Sequence, residues 1–160
     1  VRLRLAGPAD PGRGAWLEPV RVPANLASGM CLDRHGRLVI CEQGTPHTRA
    51  RIARMNLATC STETLVEGFD GAPLNSPNDV VVKSDGTIWF TDPDYGALQG
   101  FKGPARLGPN VYCHDPATGD PVIVASHLAT PNGPAFSPPH PAPPRPAPPA
   151  APDPHSRLPY

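Results

Sequence analysis

Long apolar runs are missing from this 160-residue chain, so no segment is suited to cross a bilayer as a helix. Its first residues, VRLRLAGPADPGRG, hold arginines but neither the apolar centre of a leader peptide nor a small-residue cleavage pattern. Neither a membrane nor an export route is supported, and the expected location is cytoplasmic. An excess of one charge is missing as well: 14 Lys and Arg balance 14 Asp and Glu with no basic stripe, which removes the electrostatic basis for binding nucleic acid. Metal-binding sulphur is scarce. Cys31, Cys41, Cys60 and Cys113 form no Cys-x-x-Cys pair and have no histidines at zinc spacing. Cys31, Cys41 and Cys113 lie in strand-like runs, where cysteine usually serves as a small buried hydrophobe. His35, His47, His114, His127, His140 and His155 are scattered over turns, loops, one strand and the C-terminal region, so they read as solvated or hydrogen-bonded. What remains for chemistry is oxygen.

What is present in quantity is repetition. The stretch Leu74–Gly96, LNSPNDVVVKSDGTIWFTDPDYG, has a polar loop, an apolar run from Val80 to Val82, a turn at Ser84, Asp85 and Gly86, and a second apolar run through Thr91. Asp-Gly between apolar runs predicts a hairpin, because glycine accepts the positive φ that tight turns need. The same unit occurs earlier: Gly36 and Gly86 are 50 positions apart, as are Glu42 and Asp92. The second halves match at an offset of 59, Arg54–Thr59 against Cys113–Thr118, followed by strands near Thr62–Val66 and Pro121–Ala125. Each repeat reads as a four-stranded antiparallel meander, and a third begins at Pro131-Asn132-Gly133. Strand-only repeats of this length indicate propeller blades. The larger second offset places extra residues between Asp92 and Asn110, where an added loop would cover one face. The strands do not alternate cleanly between apolar and polar residues, so both faces are expected to be covered, as in stacked blades.

The repeat also sets oxygen donors at equivalent strand entries: Asn78 and Asp79 in the second blade, Asn132 in the third, Ser28 and Gly29 in the first. In a propeller these entries lie near the central channel, so separate blades can converge on one ion, and hard cations such as calcium take carboxylate and carboxamide oxygens. Asn, Asp and Ser before a strand also bond their own backbone in Asx turns without any ligand. Asp92 and Asp94, in TDPDYG, read chiefly as turn formers. Glu42 matches Asp92 by the repeat and stays open between the two roles. Trp89 and Phe90 read as packing between blades.

Three segments, GRLVICEQG at Gly36–Gly44, the long middle motif, and PNGPAFSP at Pro131–Pro138, resemble the family of gluconolactonase, senescence marker protein (regucalcin) and luciferin-regenerating enzyme, and are most similar to bacterial gluconolactonases. The resemblance spans about Leu26 to Pro138. It implies an all-β fold, part of a six-bladed β-propeller with about two complete blades and the start of a third. It implies hydrolysis of sugar lactones at a central divalent metal, expected to be calcium. On this likeness Asn132 is a metal ligand and Asn78 binds the substrate or metal-bound water; Asn78 is also taken as a candidate metal ligand, and Asp79 and Glu42 stand beside it as candidate contacts to the lactone. The expected catalytic Asp belongs beyond Pro138, so no catalytic residue is carried over. The family's metal-ligating Glu belongs to a blade before Leu26. Pro134 stands where the family usually has leucine, and it removes a strand amide.

Proline accounts for 25 residues, and twelve of these lie in Pro134–Tyr160, a segment with almost no apolar residues, expected to be extended or disordered. The reading therefore divides the chain into an N-terminal extension with a partial strand (1–25), a gluconolactonase-like propeller fragment (26–137) and a proline-rich tail (138–160). The abrupt change near Pro138 leads to the expectation of a frame-shifted end and a weakly active or inactive fragment. Two other readings stand beside this one. One is an interaction module whose PPRPAPP segment, Pro143–Pro149, serves as a polyproline II ligand. The other is a propeller hydrolase of different substrate class.

Overall fold

The structure, a computed structural model, describes residues 2–4 and 16–137, with only the backbone for 2–4 and 16–18. The proline-rich segment 138–160, with its Pro143–Pro149 run, lies outside the described residues. β1 (Arg2–Arg4) and β2 (Trp16–Glu18) pair as a short ribbon. The first repeat forms β3 (Ala27–Leu32), β4 (Leu38–Glu42), β5 (Arg51–Met55) and β6 (Thr62–Val66), hydrogen-bonded in that order. The hairpin β7 (Gly68–Phe69) and β8 (Ala72–Pro73) follows. The second repeat forms β9 (Val80–Val82), β10 (Ile88–Asp92), β11 (Asn110–His114) and β12 (Val122–Ala125), again in chain order. Both repeats are antiparallel meanders of four strands, as expected of propeller blades. A single helical turn, α1 (Tyr95–Leu98), lies in the longer connection between β10 and β11.

The repeat holds down to individual hydrogen bonds. The first hairpin closes with Asp33 N–H on Arg37 O (2.8 Å) and Gly36 N–H on Asp33 O (2.9 Å), the second with Lys83 N–H on Thr87 O and Gly86 N–H on Lys83 O (both 2.9 Å). Gly36 and Gly86 have φ of +71° and +97°, a conformation that costs a side-chain-bearing residue strain. The β5–β6 and β11–β12 loops also correspond: the Asn56 carboxamide oxygen accepts Ala58 N–H at 2.8 Å, and the Asp115 carboxylate accepts Ala117 N–H at 2.9 Å.

The two sheets face each other across one core of Val39, Cys41, Ile52 and Val66 from the first and Val80, Ile88, Phe90 and Tyr112 from the second, with Leu74 from the linker. Phe90 stacks on Tyr112 at 5.2 Å, and Phe69 of β7 closes on the same tyrosine at 5.3 Å. Phe90 is a packing residue, and its full burial is worth about 2–3 kcal/mol. Trp89, on the opposite face of β10, meets the ring of Phe136 edge-on at 5.4 Å. Residues 131–137 run along this face without forming a regular strand. Of the cysteines only Cys41 is fully buried, and Cys60 sits exposed in a turn at φ +58°, where the second repeat has Gly119.

Candidate functional site

The entries to the two sheets meet at the ends of β3 and β9. Asn78 N–H donates to Thr91 O (3.0 Å), Asp79 N–H to the Thr91 hydroxyl (3.1 Å), and Gly29 N–H to Asn78 O (2.7 Å). These bonds fix the Asn78 side chain between two elements. Its oxygen accepts from the Ser28 hydroxyl at 3.1 Å, and its amide donates to the Asn132 oxygen at 2.5 Å. Asp79 completes the group: its Oδ1 accepts Val80 N–H at 2.9 Å, and its Oδ2 lies about 4 Å from where a side chain on Gly133 would start. No side chain would fit at Gly29, since a Cβ there would stand 2.6 Å from the Asp79 Cα. Ser28, Asn78, Asp79 and Asn132 thus come together from three places in the sequence. Asn78 and Asp79 are half-buried and Asn132 is exposed.

Behind this cluster two buried carboxylates end the second strand of each sheet. Glu42 accepts from Asn25 (2.9 Å), from Arg51 (2.8 Å) and from Arg21. Burial raises the pKa of Glu42, but the hydrogen bonds from Arg21, Arg51 and Asn25 outweigh it and hold the group below the ordinary glutamate value. Asp92 has no guanidinium. It accepts Asn75 N–H and Ser76 N–H, each at 2.8 Å, and burial pushes its pKa up to about 7 against those two bonds and the charge of Lys102. The same position in the repeat therefore holds an ionised group in one blade and a readily protonated one in the other. The number of cationic partners makes the difference.

The added residues between β10 and β11 fold back over this end. Lys102 Nζ donates to Gln43 O (2.9 Å) and to Asn75 O, the Asn75 amide donates to Leu107 O (3.0 Å), and Gly96 N–H donates to the Ser76 hydroxyl (2.9 Å). Asp94 O receives Ala97 and Leu98 N–H at the start of α1. Of the residues singled out in the sequence, Asn78, Asp79 and Asn132 are brought together. Glu42 stands in its own ion-paired group, fully enclosed. Sequence reasoning missed Asn75 and Lys102. The signal for the first was present: Asn25 and Asn75 are also 50 apart, each 17 residues before the acid it serves.

The cluster offers only oxygen and amide groups, which suits a hard cation in kind. In number it is a partial set: two carboxamides, one carboxylate and a hydroxyl, where calcium takes six to eight oxygens. Among the described residues no three His, Cys, Asp or Glu side chains gather as a metal site.

Comparison with known proteins agrees with this architecture. The gluconolactonase of Zymomonas mobilis is 29% identical over 148 residues, which cover 86% of this chain and 36% of that protein. The lactonohydrolase oryL of Aspergillus oryzae is 35% identical over 81 residues, 50% of this chain and 19% of its own length. The chain thus spans about a third or less of these relatives. A solved gluconolactonase of Xanthomonas campestris, described as important in glucose secondary metabolism, superposes with a TM-score of 0.59 at 33% identity, covering 68% of this chain and 36% of that one. An X-ray structure of another protein assigned as a gluconolactonase gives a TM-score of 0.65 at 32% identity, covering 74% of this chain and 40% of the other. The family described as SMP-30/Gluconolactonase/LRE-like region matches residues 15–141, most of the chain, and this protein belongs to that family.

Proposed function

We propose that this chain carries part of the site of a sugar-lactone hydrolase, with Asn78 and Asn132 as oxygen donors to a divalent cation, and with Asn78 and Asp79 beside the lactone. The observation that carries the reading is the meeting of Asn78 and Asn132, 54 residues apart, at 2.5 Å in a cluster that offers a cation only oxygen. Calcium is the cation suited to such donors, and when bound it supplies polarisation of the ester carbonyl. The chain's own residues orient. A backbone bond donated to Thr91 O and one accepted from Gly29 N–H hold the Asn78 main chain and so aim its carboxamide, and the Asp79 carboxylate adds the one negative charge of the cluster. Glu42, enclosed by Arg21, Asn25 and Arg51, enters as a support of the strand end rather than a contact to the lactone. With so few donors the chain by itself is expected to hold calcium weakly and to turn over gluconolactone poorly.

Calorimetric titration of calcium into the purified chain, run beside Asn78→Ala and Asn132→Ala, tests the reading. Weak binding that disappears in both variants is the expected result. Binding unchanged by either substitution would remove the pair from the site, and brisk calcium-dependent hydrolysis by the chain alone would overturn the expectation of low activity.

A further inference from the structure

We infer that Asp92, together with Lys102, is a positioning residue: by gripping the main chain at Asn75 and Ser76 it sets where the Asn78 carboxamide meets Asn132. The inference rests on the reading that this pair belongs to the site. The backbone from Asn75 to Asp79 enters β9 without a sheet partner of its own at its first residues, so each of its N–H groups needs another acceptor. Asn75 and Ser76 donate to the two oxygens of Asp92, and Asn78 and Asp79 donate to the neighbouring residue Thr91. Pro77 between them has no N–H and is fully buried. The whole entry segment is thereby tied to the last two residues of β10.

Lys102 holds the same segment from its carbonyl side and links it to the first blade. Its ammonium group donates to Asn75 O and also to Gln43 O, the residue after β4. One side chain thus joins the ends of both sheets beneath the 93–109 connection. Asp92 and Lys102 share no hydrogen bond with Asn78 or Asn132, so their influence must travel through the backbone. Buried bonds to the main chain transmit position well, because displacing a partner leaves a buried amide unsatisfied.

The test is the pair of side-chain amide resonances of Asn78 and Asn132, read by two-dimensional NMR of the whole chain without metal or lactone. Asp92→Asn keeps the shape but replaces one acceptor by a donor facing an N–H. Lys102→Met removes the bridge and leaves the carboxylate. Ile52→Val, in the core, serves as a control that loosens packing away from the entry. Both resonances are expected to move in Asp92→Asn and, by less, in Lys102→Met, with faster exchange of the Asn78 backbone amide. The core variant is expected to leave them in place. Resonances unmoved in Lys102→Met, or moved equally by Ile52→Val, would overturn the assignment. The readout is independent of calcium and of turnover, so a negative calcium titration would count against the lactonase reading and leave this result standing.

Discussion

Asp92 should make the protein less stable as the solution becomes less acidic, the reverse of ordinary acid denaturation. Its carboxyl stays protonated in the folded chain up to about pH 7, whereas the unfolded chain releases the proton near 3.8. Between those values the folded state binds more protons, so stability falls as pH rises from about 4 towards 7 and then levels off. The gap is about three pH units, which at about 1.4 kcal/mol per unit amounts to about 4 kcal/mol. Asparagine at this position has the same shape and no charge to desolvate. Its amide opposes one of the two main-chain N–H groups and costs about 1–3 kcal/mol. Asp92→Asn should therefore be slightly less stable than the parent at about pH 5 and should overtake it by about pH 8. Urea unfolding of both proteins across that range, followed by tryptophan fluorescence, gives the difference directly, and every other titrating group cancels. A difference that stays constant, or one that grows against the variant with rising pH, would refute the reasoning. It would mean that the two amides and Lys102 outweigh burial.

Glu42→Gln should cost about 3 kcal/mol in the same assay near neutral pH, towards the low end for breaking a buried ion pair because Arg21 and Arg51 keep 24% and 26% of their side-chain surface in water. Since partners hold Glu42 below its ordinary value, its contribution is present above about pH 4.5 and is lost as the solution is acidified through the folded-state pKa, so the penalty should shrink at low pH. Gly29→Ala should destabilise by about 1–3 kcal/mol or more, measured by the shift in urea midpoint, because its methyl group would meet the backbone of Asn78 and Asp79 rather than a movable side chain. Restoration of full stability in that variant would mean that β3 and β9 can separate freely.

Local chemistry settled much of this protein before any three-dimensional information. The 50-residue spacing, the glycines after Arg34-His35 and Ser84-Asp85, and the apolar runs around them determine two hairpins and two meanders, because turn conformation and strand burial depend on neighbours in the chain. The β7–β8 hairpin carries the same signal in Asp70-Gly71: both residues adopt positive φ, +48° and +73°, the two-residue turn that Asp-Gly favours. Oxygen donors at strand entries could also be named, as could their repetition. Tertiary structure alone decided the rest. The contact of Asn78 with Asn132 depends on how residues 131–137 return past β9. The opposite protonation tendencies of Glu42 and Asp92 depend on whether arginines or main-chain amides surround a buried carboxylate. Lys102 owes its place to the fold of the 93–109 connection, which no periodicity announces. Side-chain partners separated by tens of residues are set by the packing of whole sheets, and the sequence encodes that packing only collectively.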